Sequence, residues 1–110
     1  MSRMILHLRI RVRPGARDAL LSFLQEAIPF YERPGGIRVS LFEDASDPDR
    51  FIEVVEYADA AAFEADQARV REDPEMGAWL ERWRELLQGS PEVEVYRDLS
   101  HLAREGVSDH

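Results

Sequence analysis

The chain has 110 residues, 45% hydrophobic and 33% charged, with 14 basic residues against 22 acidic ones and a net charge of −8. That length makes one domain with enough apolar content for a core, and the acidic balance argues against nucleic acid and anionic membrane surfaces as partners, since both need a basic face. Cysteine and lysine are both absent, which excludes disulfides, thiolate ligands, thiol nucleophiles and Schiff-base chemistry.

The opening "MSRMILHLRIRVRPG" is interrupted by arginines and lacks a small-residue cleavage site, so it reads as no signal peptide. No apolar run approaches the ~18 residues of a membrane span, and a cytoplasmic setting is the default. Residues 4–12 alternate, with Met4, Leu6, Leu8, Ile10 and Val12 opposite Ile5, His7, Arg9 and Arg11. That period of two predicts a strand, which Pro14-Gly15 ends. From residue 16 to 31 the steps become three and four, through Leu20, Phe23, Leu24, Ala27 and Tyr31, which predicts a helix. Pro29 predicts a kink or an early stop near Ile28.

After the turn "RPGG", residues 37–43 alternate again, with Ile37, Val39 and Leu41 against Arg38, Ser40 and Phe42. "EDASDPDR" reads as a polar loop. Residues 51–57 form a third strand, with Ile52 and Val54 opposite Phe51, Glu53, Val55 and Tyr57, and pair with the second as a hairpin. Asp59 is placed to cap a helix over 60–71, and Asp73-Pro74 to start another. That helix carries the stripe Met76, Trp79, Leu80, Trp83, Leu86 and Leu87, and Gly89 stands as its terminal glycine. Residues 92–96 make a short fourth strand. Residues 1–98 thus form the domain, and 99–110 a polar tail that is loose or pairs with a partner chain.

The order β-α-β-β-α-β is the ferredoxin-like arrangement, a four-stranded antiparallel sheet with its helices on one face. By alternation the uncovered face carries His7, Arg9 and Arg11, then Arg38, Ser40 and Phe42, then Phe51, Glu53, Val55 and Tyr57, and finally Glu94 and Tyr96. Such a face is too apolar for solvent alone, and two of them packed in a twofold homodimer would cover it.

The run Tyr57-Ala58-Asp59, then Ala60-Ala61-Ala62-Phe63, then Asp66 resembles the antibiotic biosynthesis monooxygenase (ABM) domains of the dimeric α+β-barrel superfamily. "LRIRVRPGARDALLSFL" and "EDPEM" are similar to the related NIPSNAP-type branch. The resemblance implies a homodimer whose two sheets form a barrel with helices outside. It also implies oxidation of aromatic, polyketide-like substrates by O2 without metal or flavin, or else haem degradation, or no chemistry at all. Members acting on anthrone-like substrates, and the haem degraders, depend on an asparagine. This chain has none, and Asp66 stands near the haem degraders' helix histidine. An aspartate cannot supply a neutral imidazole ligand.

Two residues are candidate proton acceptors, His7 and Asp66. The plainer reading of His7 is a partly buried histidine near the dimer interface, and that of Asp66 one acid of an exposed helix face. Tyr57, Trp79, Trp83, Phe42 and Arg38 are candidates for a substrate pocket, although the two tryptophans lie on a stripe that more often forms core. Arg9, Glu53 and Tyr96 are assigned to the dimer interface, with Arg9, Arg38 and Glu53 as a cross-strand charge cluster. No metal site is expected, because no histidine pair stands at ligand spacing, and the resemblance implies no cofactor. Three readings follow. The first is a cofactor-independent oxygenase of a small aromatic or quinone-like compound. The second is a non-catalytic dimeric binding or interaction module, and the third an isomerase- or dehalogenase-like enzyme that moves a proton without O2.

Overall fold

The computed structural model describes residues 2–108, with side chains described through residue 105. Residues 109–110, part of the predicted tail, lie outside the described residues. The elements run β1 (Met4–Arg11), α1 (Arg17–Tyr31), β2 (Ile37–Asp44), β3 (Asp47–Tyr57), α2 (Ala60–Glu72), α3 (Pro74–Glu85), β4 (Glu92–Arg97) and α4 (Ser100–Ser108). The four strands form one antiparallel sheet in the order β2-β3-β1-β4. This is the ferredoxin-like α+β fold that the sequence pattern predicts.

The element boundaries follow local chemistry. Gly35 and Gly36 have φ of +83° and +70°, so the α1–β2 turn uses two left-handed residues in succession, and "RPGG" supplies them. Asp59 accepts a hydrogen bond from the Ala62 amide at 2.8 Å and caps α2. Asp73 ends α2 and caps α3 by accepting from the Glu75 amide at 2.9 Å, with Pro74 in the first turn where its missing N–H costs nothing. The core is built from Ile10 and Val12, Leu20, Phe23, Leu24 and Ala27 of α1, Phe51 of β3, and Trp83 and Leu87 at the end of the α3 stripe.

Four expectations need correction. The first helix does not stop at Ile28; it runs through Pro29 to Tyr31. Pro29 sits in the last turn, where it removes a single bond, and the following Phe30 is only 4% exposed, so burial holds the turn in place. The polar loop 43–50 is mostly strand, because Asp44 accepts from both the amide and the hydroxyl of Ser46 and tightens the hairpin, and Arg11 reaches Asp47 at 2.9 Å. The tail is helical from Ser100, after Asp98 accepts from the Ser100 amide at 2.9 Å while also holding Arg3.

The fourth correction decides where the site lies. In the register Met4↔Tyr57, Leu6↔Val55, Leu8↔Glu53 and Ile10↔Phe51, the third strand's partners are the helix-facing residues of β1. Directly opposed residues in an antiparallel pair share a face. Phe51, Glu53, Val55 and Tyr57 therefore point under the helices, not to the open face, and all four are buried. Ile52, Val54 and Glu56 take the open face beside Arg9, His7 and Ile5.

Candidate functional site

A cleft of about 250 Å3 lies between the sheet and the helices. Its floor is Leu6 and Leu8 of β1, Val39 of β2, and Glu53, Val55 and Tyr57 of β3. Its roof is Tyr31 at the end of α1, Asp66, Gln67 and Val70 of α2, and Met76, Leu80 and Trp83 of α3. The helix layer does not reach across β4. Val93 is 58% exposed although its partner Leu8 faces the helices, so the cleft opens at this edge between Pro91 and Val93.

Two carboxyl groups stand in a lining that is otherwise mainly apolar. Glu53 is 3% exposed, and its Oε2 accepts a hydrogen bond from the Trp83 indole N–H at 2.6 Å. No other donor to Glu53 occurs among the described residues. Burial pushes its carboxyl up to about 7, against a smaller downward pull from the indole bond. Asp66 is differently placed. The Tyr57 hydroxyl donates to its Oδ2 at 2.5 Å, and Arg69 Nη2 lies 3.3 Å from Oδ1. Arg69 in turn donates to the carbonyls of Phe30 and Tyr31 at 3.4 and 2.9 Å, so this chain of contacts ties α2 to β3 and to the end of α1. Burial, then the Asp66 contact, raises the Tyr57 phenol above its usual range. The Tyr31 hydroxyl is buried in the cleft with no hydrogen-bond partner among the described residues. Burial, then the charge of nearby Glu53, raises its phenol too.

The structure brings together only some of the residues singled out from sequence. Tyr57, Asp66 and Trp83 share the cleft. Trp79 lies outside its lining, between Phe23 at 5.8 Å and Phe30 at 5.7 Å, with the Arg82 guanidinium over its ring. His7, Arg9, Arg38, Phe42 and Tyr96 lie on the opposite, open face. There His7 sits 5.1 Å from the Tyr96 ring and 4.0 Å from Glu94, with the sheet between it and the cleft. Arg9 pairs with Glu94 at 2.8 Å. The predicted cluster of Arg9, Arg38 and Glu53 does not form, and Glu53 is not on the face assigned to the dimer, because the β3 alternation runs in the other phase. Sequence reasoning missed Glu53 and Tyr31 as cleft residues. The face of Glu53 is set by its pairing with Leu8, which strand alternation alone does not show; Tyr31 stood on the helical stripe of α1 with nothing to mark it as a cleft residue. Among the described residues no group of three or more acids or histidines forms a metal cluster, and no helix is long and apolar enough to cross a membrane.

A single antiparallel sheet in the order β2-β3-β1-β4 with helices over one face and a cleft beneath them is the ferredoxin-like α+β fold of the ABM domains. The model of the family described as antibiotic biosynthesis monooxygenase matches residues 3–82, and the chain belongs to that family. Solved structures agree on the fold. SnoaB, a cofactor-independent oxygenase from Streptomyces nogalater solved in a mutant form, is 18% identical with a TM-score of 0.75, over 90% of this chain and 95% of that one. A Mycobacterium tuberculosis protein is 25% identical with a TM-score of 0.70, over 89% and 96%. A conserved protein from Methanosarcina mazei is 15% identical with a TM-score of 0.75, over 89% and 94%. No curated protein matches the chain.

Proposed function

We propose that the chain is a cytoplasmic, homodimeric, cofactor-independent oxygenase that oxidises a small hydroxyarene or quinone-like compound in the helix–sheet cleft. The observation that carries this reading is the cleft itself, an apolar slot with buried ionisable groups in a chain of a monooxygenase family. Its volume of about 250 Å3 lies just below the usual ~300–1,000 Å3 of ligand pockets, which favours a one- or two-ring compound over a haem. The likeness to SnoaB, described as a cofactor-independent oxygenase, supports the reaction type.

The chemistry asks little of the protein. A proton acceptor removes the substrate's acidic proton, and the electron pair stays on the aromatic system. The resulting anion passes one electron to O2, and the radical pair recombines into a hydroperoxide at a ring carbon that carries hydrogen. That hydroperoxide takes up a proton and loses water, leaving a carbonyl; one oxygen atom of O2 enters the product and the other leaves as water. The cleft supplies exclusion of water and an oriented acid–base group. Of the two candidate acceptors named from sequence, Asp66 lines the cleft and His7 does not.

The test is oxygen uptake by purified protein, dialysed against a chelator, with a panel of one- and two-ring hydroquinones and, as the three-ring comparison, anthrone. Saturable uptake that survives the chelator is expected. Proton exchange into substrate without oxygen uptake would instead favour the isomerase-like reading, and neither activity would favour a binding module.

The homodimer belongs to the same proposal. The open face presents Ile5, Ile52 and Val54 among charged residues, with Phe42 55% and Tyr96 46% exposed. A second copy covers this face with matching apolar strips and opposed arginine and glutamate side chains. Sedimentation at micromolar concentration is expected to give a dimer, and Val54→Asp a monomer. A wild-type monomer would contradict this account.

A further inference from the structure

Glu53 and Tyr31 stand in the cleft without a partner for part of their hydrogen-bonding capacity. Both line the cleft, and they are near enough for the Glu53 charge to act on the Tyr31 phenol, yet no hydrogen bond joins them. Trp83 occupies Oε2 of Glu53, and no described residue donates to Oε1. The Tyr31 hydroxyl is buried without a partner, and because buried polar groups are almost always partnered, one that is not points to a missing ligand or water. Asp66 differs in that its Oδ2 already accepts from Tyr57 and Arg69 Nη2 lies 3.3 Å from its Oδ1, although no hydrogen bond reaches that buried Oδ1.

We propose that Glu53 is the catalytic proton acceptor, and that it and Tyr31 together bind the hydroxyl of a phenolic substrate, which donates to Glu53 Oε1 and accepts from the Tyr31 hydroxyl. The inference rests on the oxygenase reading for its substrate class and adds the residue that starts the reaction. In this step the substrate O–H bond breaks, its proton moves to Glu53 Oε1, and the electron pair stays on the substrate oxygen. Nothing is oxidised until O2 reacts. Trp83 is a positioning residue, since its indole N–H fixes the carboxyl plane. The chain is suited to the task because Glu53 changes charge near neutral pH, where a proton can be both taken and returned. The same acid can then give its proton to the hydroperoxide.

The experiment measures binding of para-cresol and of its methyl ether by calorimetry across about pH 6 to 8.5, below the ordinary phenol range. Wild type, Glu53→Gln and Tyr31→Phe are compared, each checked for folding by circular dichroism. Cresol affinity is expected to rise about tenfold as Glu53 ionises, as for a hydrogen bond to a charged acceptor. Glu53→Gln should abolish that rise, Tyr31→Phe should weaken binding several-fold but keep it, and the ether should bind weakly at every pH. A flat wild-type profile, an unchanged profile in Glu53→Gln, or no cresol binding at all would overturn the proposal. The oxygen-uptake assay is independent of this result. If the Glu53-dependent profile appears and no hydroxyarene consumes oxygen, the phenol-binding role of Glu53 and Tyr31 stands, while the oxygenase reading and the catalytic role of Glu53 fall. If oxygen is consumed and Glu53→Gln retains wild-type kcat, Glu53 falls and the reading stands; a loss of roughly a hundredfold or more, with KM changed less, supports both.

Discussion

Glu53→Gln is expected to remove a pH-dependent loss of stability from the wild-type protein. The folded carboxyl titrates near 7 instead of its ordinary 4.5, because burial disfavours the charge. Below about pH 4.5 the group is protonated in both folded and unfolded chains and contributes no difference. Between there and about 7 the unfolded chain releases the proton while the folded chain holds it, so stability falls as pH rises. Above 7 the folded group is ionised as well and the loss is complete, on the order of 3 kcal/mol. Gln keeps an oxygen for the Trp83 indole and never ionises. The variant should therefore gain on wild type as pH rises, with a relative Tm increase on the order of 10 °C by pH 8. Parallel stability curves for the two proteins from pH 4.5 to 8 would mean that Glu53 carries no buried charge.

Trp83→Phe is expected to do the reverse. It deletes the 2.6 Å bond to Glu53 and leaves a small void in a side chain that is 5% exposed. Losing a bond to a charged acceptor costs about 1.5–3 kcal/mol, and truncating the ring adds a cavity cost. The indole bond lowers the Glu53 carboxyl's titration point, so its loss moves that point higher still. Destabilisation should thus be larger at pH 8 than at pH 5. In a Glu53→Gln background the same substitution should cost less, because the charged acceptor is gone. Equal costs in both backgrounds, read from urea unfolding at fixed protein concentration, would show that the ring acts by packing alone.

Much of the fold was legible because its signals were local. Asp59, Asp73-Pro74 and the two glycines of "RPGG" each carry a capping or turn preference that the structure uses. The phase of β3 was not legible in the same way. Ile52, Val54, Phe51, Val55 and Tyr57 are apolar on both faces, so alternation locates the strand without saying which face is covered. That choice is made by the antiparallel register with β1, a long-range pairing. The site followed the same division. Asp66 sits near a recognisable family position, and it does line the cleft, but it is engaged by Tyr57. Glu53 looked like a charge for an interface because an acid on a strand usually faces water. Only the register places it under Trp83. The tail helix was missed because the turn that leads into it, where Asp98 accepts from the Ser100 amide, is also held by Arg3 from the opposite end of the chain.

Ligand chemistry, on this reading, belongs to the helix–sheet cleft and not to the open face. The chain has two tryptophans, which give two indole N–H signals in a nitrogen-labelled NMR spectrum. Trp83 donates to Glu53 inside the cleft, while Trp79 packs outside it among phenylalanines. Titration with para-cresol is predicted to move the Trp83 indole signal and leave that of Trp79 nearly still, and a pH series is predicted to shift the same Trp83 signal with a midpoint near 7. An immobile Trp83 signal, with perturbations gathered instead at His7 and Tyr96 on the open face, would contradict it.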